Sequence, residues 1–229
     1  MIITIANQKG GSGKSTLCLN LATKFLLEGK EIVVLDTDVQ KSIETFVNIR
    51  VDKNIECFSL FNRTGNITDT IKQMIPKYEN IIIDTKGEDS LESRKAMLIS
   101  DLVIIPSTPS QLDIAVLDEM FERVGEIQSI NEKLKACVLI NRIPPIPYLK
   151  EKEAMKDFIL ENKATLDIEL LESIISERIS LKRCVSEGLS IFEYSDEKAK
   201  KEFSKLYEEL CEKFLNLETS KTQSSLKIS

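Results

Sequence analysis

Residues 9–16, Lys-Gly-Gly-Ser-Gly-Lys-Ser-Thr, have the composition of a loop that binds a chain of phosphates. They follow the apolar run Ile2–Ala6 and precede the helix-like stretch Leu17–Leu27. Glycines let backbone N–H groups converge on anionic oxygens, and a helix N-terminus adds positive potential. Lys14 can reach the terminal phosphates and the Ser15 hydroxyl can ligate Mg²⁺. The predicted phosphate-binding residues are Gly10, Gly11, Ser12, Gly13, Lys14, Ser15 and Thr16.

Two further strand-like runs end in carboxylates. Ile32–Leu35 is followed by Asp36 and Asp38, and Ile81–Ile83 is followed by Asp84. An apolar strand that ends in aspartate is the Walker B pattern, in which the carboxylate holds Mg²⁺, usually through a water. Asp84 is therefore a predicted magnesium residue. Asp36 and Asp38 have an alternative role as caps of the helix that follows.

Composition narrows the range of functions. The net charge of −6 excludes a generally basic, histone-like DNA-binding protein, although it allows a local basic patch. The chain has no histidine, so a catalytic base must be a carboxylate or a positioned water. Its five cysteines lie far apart without a C-x-x-C pair, which argues against zinc sites and redox dithiols and fits a reducing cytoplasm. Because no apolar run approaches 18 residues and the chain opens directly into a strand, we expect neither a membrane span nor a signal peptide.

Short apolar runs alternate with helical patterns along the chain, which predicts an α/β fold with a mostly parallel twisted sheet and helices on both faces. About seven strands are expected, at Ile2–Ala6, Ile32–Leu35, Ile55–Phe58, Ile81–Asp84, Leu102–Ile105, Cys137–Ile140 and near Leu170–Ile174. Helices are expected at Lys14–Leu27, Lys41–Asn48, Thr68–Ile75, Ser90–Ile99, Gln111–Ser129, Leu149–Glu161, Ser180–Glu187 and Glu197–Leu217.

No linker is long enough to divide the chain, so these elements predict one P-loop domain over residues 1–217 and a polar, disordered tail over residues 218–229. In an open parallel sheet, ligands bind beyond the carboxyl ends of the strands. The polar segments of this chain should therefore meet at one edge of the sheet: Lys9–Thr16, Asp36–Gln40, Asp84–Gly87, Pro106–Asp113 and Asn141–Pro147.

The loop departs from the general P-loop pattern G-x-x-x-x-G-K-[ST], because Gln8 replaces the first glycine and Lys9 adds a second lysine. It resembles the deviant P-loop of the family that includes ParA partition ATPases, MinD, the nitrogenase iron protein and dethiobiotin synthetase. Asn7–Gly11 is most similar to the plasmid-type, ParF-like branch of ParA.

This resemblance implies an ATP-gated homodimer in which Lys9 reaches the phosphates bound by the partner subunit. Lys9, Lys14 and Asp38 are then the expected catalytic residues, with Asp38 orienting the attacking water. Asp36 would support the magnesium site together with Ser15 and Asp84. The expected cofactors are ATP and Mg²⁺. The expected partners are nonspecific DNA and a ParB-type centromere-binding protein that stimulates hydrolysis, in a cytoplasmic protein that joins the nucleoid when it carries ATP.

Val138–Ile140, followed by Asn141 and Arg142, resembles the strand end on the adenine side of the family's site. An asparagine amide can donate to and accept from a purine edge, and a guanidinium can stack on the ring. The GTPase motif N-K-x-D is absent, which favours ATP over GTP. Asn141 and Arg142 are therefore expected to contact the base.

The candidate DNA contacts are Arg178, Lys182 and Arg183, in a segment that resembles the C-terminal part of ParF-like proteins. Residues 176–213 hold eight Lys or Arg and nine Asp or Glu, so an ordinary solvated surface is an equal alternative. A small basic patch becomes useful for DNA binding when a dimer doubles it.

Two other function classes stay open. A MinD-like ATPase would bind membranes through a basic amphipathic helix. Here the last helix carries acidic side chains, so we expect no membrane partner: Glu202, Glu208, Glu209 and Glu212. A metabolic enzyme of the same fold could be a ligase of the dethiobiotin-synthetase type, which would show substrate-dependent use of ATP. It could also be a nucleotide-dependent reductase, which needs cysteine ligands for a metal cluster, and the cysteine spacing here offers no obvious pair.

Overall fold

Six of the predicted apolar runs and one further segment form the seven parallel strands of one sheet in the computed structural model, which describes residues 1–144, 149–163 and 166–215. The strands are β1 Ile2–Ile5, β2 Ile32–Asp36, β3 Ser59–Asn62, β4 Asn80–Asp84, β5 Leu102–Ser107, β6 Lys135–Ile143 and β7 Ile168–Ser176. The helices are α1 Lys14–Leu27, α2 Ser42–Asp52, α3 Ile67–Met74, α4 Leu91–Leu98, α5 Gln111–Gln128, α6 Leu149–Lys163, α7 Ser180–Ser186 and α8 Glu197–Leu210. The expected tail at 218–229 lies outside the described residues, and a single domain over 1–217 stays a prediction.

The strand order β3-β2-β4-β1-β5-β6-β7 puts β1 at the point where the chain changes direction across the sheet. Its two neighbours are β4 and β5, both parallel to it. A crevice at the carboxyl ends of the strands forms at such a switch point, and here the loop after β1 occupies it. The register pairs Asp36 at the end of β2 with Asp84 at the end of β4.

Both faces of the sheet are apolar, which confirms the predicted fold class. Alternate residues of β4 show this, because Ile82 packs in one core cluster while Ile81 and Ile83 pack in another. Helices α1, α2, α7 and α8 cover the first face, and α3 to α6 cover the second. A parallel sheet that is covered by helices on both faces needs strands that are apolar at successive positions, because successive side chains face opposite helical layers.

The predicted strand Ile55–Phe58 is wrong, because β3 lies four residues later. The segment before it is held by α2: Ile55 N donates to the Arg50 carbonyl at 2.9 Å, and the buried Arg50 guanidinium donates to the carbonyl of Glu56. The true strand is at the sheet edge and mostly exposed, so it lacks the apolar signal that marks central strands.

The last helix is shorter than predicted, since α8 ends at Leu210 and a π-helical turn, Cys211–Leu215, follows. Two of its acidic residues bind the edge strand β7. Glu209 accepts from the backbone N–H groups of Glu172 and Ser173 at 2.8 and 2.9 Å, and Glu202 accepts from that of Ser176 at 2.9 Å. These carboxylates cap an otherwise unpaired sheet edge. No helix among the described residues combines the length and apolar character needed to cross a bilayer.

Candidate phosphate-binding site

The loop between β1 and α1 is held in shape by a side chain from β6. Gly13 has a left-handed φ of +94°, and a Cβ there would lie 2.5 Å from Asn141 Nδ2. That amide donates to the Ser12 carbonyl at 2.7 Å and is buried. A residue with a side chain would be strained at position 13 by both its backbone and this contact. The sequence therefore needs glycine next to the lysine, and Asn141 fixes the position of the loop.

Lys14 crosses the loop from the first turn of α1. It is 6% exposed, and its Nζ donates to the carbonyl of Lys9 at 3.0 Å. Burial lowers the pKa of Lys14, while Asp84 and Asp38 act in the opposite direction. The buried ammonium and the nest of backbone N–H groups match the negative charge of a polyphosphate. The two carboxylates that the ammonium faces match the positive charge of its metal ion.

Asp36 and Asp84 end neighbouring strands, and their buried carboxylates lack hydrogen-bond partners at Asp36 Oδ2 and at both oxygens of Asp84. Burial raises the pKa of Asp84 to about 7, against the lowering effects of the Ser15 hydroxyl and the Lys14 ammonium. Burial likewise raises the pKa of Asp36 to about 6.

Orphaned carboxylate oxygens next to a hydroxyl are what a hard divalent cation needs, so Ser15, Asp36 and Asp84 fit the predicted magnesium site. No cluster of three or more Asp, Glu, Cys or His side chains that could hold a metal occurs in the described ranges. The protein ligands are thus too few to form a complete cage, as is usual for Mg²⁺ that is shared with substrate phosphates.

Asp38 lies just beyond this pair and is half-buried. Its backbone N–H donates to Asp36 Oδ1 at 2.9 Å, and its own Oδ1 accepts from the backbone N–H of Gln40 at 2.9 Å. The hydrogen bond to Asp36 uses only the backbone of residue 38, so it does not depend on the Asp38 side chain. The Asp38 carboxylate lines the cavity beside the phosphate loop.

A cavity of about 480 Å³ runs from the phosphate loop to α7 and α8. Arg178, Lys182 and Phe203 line its far end, while Arg183 does not. Arg178 Nη2 also lies 2.7 Å from Glu202 Oε1. The structure therefore brings two of the three candidate DNA residues to the nucleotide side of the molecule and leaves Arg183 exposed on α7.

Lys9 points away from this cavity and into a second one of about 300 Å³. Its Nζ lies 2.8 Å from the carboxylate of Asp113, which is 1% exposed and also accepts from the hydroxyls of Thr108 and Ser110. Sequence reasoning did not identify Asp113 as the partner of Lys9. The available signal was Ser110 three residues before it, a helix N-cap pattern that puts Asp113 in the first turn of α5.

Arg142 separates the two cavities and lines both. It has a left-handed φ of +55°, donates to the Gly11 carbonyl, and lies 2.6 Å from Glu177 Oε1. This conformation is uncommon for a non-glycine residue, and the contacts with Gly11 and Glu177 hold Arg142 in it. Glu177, the residue directly after β7, also lines both cavities and was not among the predicted site residues.

Comparisons with known proteins identify the family of this chain. The model of the CobQ/CobB/MinD/ParA nucleotide binding domain matches residues 3–191. The chain belongs to this family. Protein ParA of Rhizobium radiobacter is 28% identical over 179 residues, covering 77% of this chain and 78% of its own. Maintenance of carboxysome distribution protein A, from Halothiobacillus neapolitanus, is 23% identical over 193 residues, covering 83% of this chain and 86% of its own.

Solved members of the family share the fold and bind nucleotides. A plasmid partition protein of Borrelia burgdorferi B31, bound to AMPPNP, has a TM-score of 0.67 and 24% identity, covering 93% of this chain and 98% of its own. MinD of Pyrococcus horikoshii, complexed with Mg-ADP, has a TM-score of 0.68 and 21% identity, covering 91% of this chain and 95% of its own. These likenesses establish the fold of the present member.

The two raised carboxyl pKa values of this family member predict a pH dependence of its stability in EDTA and without nucleotide. The folded pKa values of Asp84, about 7, and Asp36, about 6, exceed the unfolded value of about 3.9. The native state therefore binds more protons than the unfolded state, and the resulting stability is complete below about pH 4 and lost as the pH rises through about 7. Urea unfolding should give a larger free energy of unfolding at pH 5 than at pH 8.

The matched variant is Asp84→Asn, which keeps the shape of the side chain and removes its titration. It should reduce the difference in free energy of unfolding between pH 5 and pH 8 by up to a few kcal/mol, because each pKa unit corresponds to about 1.4 kcal/mol. An identical pH dependence in both proteins would show that Asp84 is not the group responsible.

Proposed function

We propose that this protein is a ParA-type ATPase, an ATP-dependent dimerising switch that binds nonspecific DNA and drives the partition of a plasmid or chromosome. A ParB-type partner would stimulate hydrolysis, and the protein would be cytoplasmic and join the nucleoid when ATP is bound. The observation that carries the proposal is the position of Lys9. Its ammonium is unused by its own phosphate cradle and stands in an open second cavity, beside a buried carboxylate.

Each catalytic residue has a distinct task in this proposal. Lys14 binds the phosphates of ATP in its own subunit, and Asp38 orients the attacking water and accepts its proton. Lys9 leaves Asp113 and neutralises the charge that develops on the phosphates held by the partner subunit, as phosphoryl transfer requires. Ser15, Asp36 and Asp84 would hold Mg²⁺, and the bound ion would neutralise phosphate charge.

Asn141 and Arg142 are proposed to bind the adenine, because both line the cavity that contains the phosphate loop. Their contacts with Ser12 and Gly11 would also couple the base site to the shape of the loop. Arg183 on α7 is proposed to contact DNA in the dimer, together with Arg178 and Lys182 at the far end of the cavity.

Retention on DNA tests the proposed switch. Immobilised duplexes of two unrelated sequences should retain the protein with ATP and release it with ADP, and retention should fall steeply with salt because phosphate contacts dominate. Equal retention with ATP, with ADP and without nucleotide would refute an ATP switch. Failure to bind DNA, with intact ATP-dependent dimers, would refute the DNA part alone.

Lys9→Ala should keep its affinity for ATP but no longer dimerise when ATP binds. The substitution removes only the ammonium that is proposed to reach the phosphates of the partner subunit. Light scattering with ATP should report monomers. Lys86→Ala is a matched control, since Lys86 also lies beside the loop and its side chain is 38% exposed, as is that of Lys9. An unchanged dimer fraction in the Lys9 variant would refute its role across the interface.

Positioning of a cargo other than DNA is the second candidate. The positions of the basic residues favour this candidate. Arg178 and Lys182 line the nucleotide cavity, which leaves only a small basic surface for DNA. A MinD-like membrane role would instead give co-sedimentation with anionic liposomes in the presence of ATP. An enzyme like dethiobiotin synthetase would hydrolyse ATP only with its carboxylate substrate.

A further inference from the structure

The segment that follows Asp84 lies directly on the phosphate loop. Gly87 is the point of contact, since a Cβ at this position would lie 2.8 Å from Gly10 Cα and 3.2 Å from Lys14 Nζ. A gap that does not admit a methyl group does not admit a phosphate. Because Lys14 is the residue that reaches the terminal phosphates in such a loop, a terminal phosphate between Lys14 and Gly87 requires this segment to move away. We call residues 86–89 the covering segment.

Few polar contacts hold the covering segment in place. In the described part of the chain it makes no backbone–backbone hydrogen bond, and its side chains Lys86 and Glu88 pair with each other. Asp89 accepts from Arg94, a near neighbour on α4. It also accepts from Arg123 on α5, whose Nη2 lies 2.9 Å from Asp89 Oδ2. Arg123 thus supplies the hydrogen bond that ties the covering segment to an element distant in sequence.

Arg123 also binds the start of the phosphate loop, so one guanidinium joins the loop to the segment that covers it. With the Gln8 amide in the orientation that its neighbours require, the Gln8 oxygen accepts from both Nη1 and Nη2 of Arg123. The Gln8 nitrogen donates to Glu119 at 2.9 Å. Gln8 stands where the general P-loop pattern has glycine. The side chain that replaces this glycine is therefore what connects Arg123 to the loop.

This arrangement leaves Arg123 incompletely satisfied. Its side chain is 12% exposed, and its Nε is buried without a hydrogen-bond partner in the described structure. A buried donor without a partner marks an arrangement that is held at a cost in free energy. Asp89 has a second donor in Arg94, whose Nη2 lies at 2.6 Å. The contact between Arg123 and Asp89 can therefore break while Asp89 stays paired with Arg94 and Arg123 with Gln8.

We propose that Arg123 is a positioning residue that clamps the covering segment on the empty phosphate loop, so that a nucleotide with a terminal phosphate must open the clamp. ADP is one phosphate shorter and leaves the clamp closed. Arg123 therefore lowers the affinity for ATP relative to ADP, because part of the binding free energy of ATP is used to open the segment. The proposal rests on the ATP-binding function proposed above, and it assigns a role to a residue that touches no nucleotide.

Arg123→Met tests the clamp, because methionine has a long unbranched side chain without the guanidinium. The probes are ADP and AMPPNP, an ATP analogue that keeps the terminal phosphate and is not hydrolysed. Calorimetry with the full chain and Mg²⁺ should give a Kd for AMPPNP at least about fivefold below that of the wild type, and a Kd for ADP within about twofold. Loss of a positive charge by itself would weaken the binding of both anionic nucleotides. Unchanged or weaker binding of AMPPNP would overturn the proposal.

Three further variants assign the effect to one contact. Arg94→Gln is the matched control, since it removes the same charge from the same carboxylate but leaves the hydrogen bond to α5, and it should bind both nucleotides as the wild type does. Asp89→Ala breaks the clamp from the other side and should match Arg123→Met. The double variant should bind AMPPNP no more tightly than either single variant, because both substitutions act through one contact. An equal gain in Arg94→Gln, or additive gains in the double variant, would overturn the assignment.

A fluorophore on the covering segment reports its movement directly. Glu88→Cys provides the attachment point, with Cys57→Ser to remove a partly exposed thiol. The fluorescence of an environment-sensitive dye should change with AMPPNP and not with ADP, and Arg123→Met should give most of that change without nucleotide. No change in a protein that binds AMPPNP would overturn the proposal. Failure of the wild type to bind AMPPNP at all would refute the proposed function instead.

Discussion

Lys14→Ala should abolish nucleotide binding, with a rise in Kd for ATP of at least about 100-fold, or about 2.7 kcal/mol. Lys14 is buried, crosses the phosphate loop and faces Asp84 and Asp38. Removing its ammonium deletes the cation of the cradle and leaves the carboxylates to repel the incoming phosphates. The loss therefore exceeds that of one hydrogen bond.

Isothermal calorimetry measures the affinity, and the rise in melting temperature with ATP gives an independent value. Lys86→Ala provides the comparison, since Lys86 borders the same cavity but pairs with Glu88 on the surface. It should keep ATP affinity within a few-fold of the wild type. Near-normal affinity in the Lys14 variant would mean that the phosphates bind elsewhere.

Asp38→Ala should reduce hydrolysis by about 10²- to 10⁴-fold, the usual contribution of a general base, while ATP-bound dimers accumulate. The backbone N–H of residue 38, which donates to Asp36 Oδ1, remains in this variant. The magnesium side of the site should therefore persist, and only the carboxylate that acts on water is lost. Single-turnover phosphate release and light scattering measure the two effects.

Asp38→Asn separates charge from structure. Its amide oxygen can still accept from the backbone N–H of Gln40, as Asp38 Oδ1 does, but it cannot act as a base. Both variants should hydrolyse ATP equally slowly. Wild-type rates in Asp38→Asn would assign the role of Asp38 to loop structure, and wild-type rates in Asp38→Ala would move catalysis to another residue.

The central part of the fold was predictable because local signals agree there with the tertiary structure. β1, β2, β4, β5 and β6 are apolar runs that contact helices on both sides, and the phosphate loop has a fixed spacing between strand and helix. The failures occur at the periphery. β3 is an exposed edge strand, and α8 continues as a π-helical turn, so neither boundary carries a strong sequence pattern.

The sequence by itself determined the family, the phosphate loop and the carboxylates at the strand ends, because glycine, lysine and aspartate must stand at fixed short distances along the chain. Only the tertiary structure decided how distant segments meet. It placed Asp113 against Lys9, Asn141 beneath Gly13, and Arg178 at the nucleotide cavity. Such contacts join residues about 100 or more positions apart. The order of the strands in the sheet brings them to one edge, and no local pattern in a single sequence encodes that order.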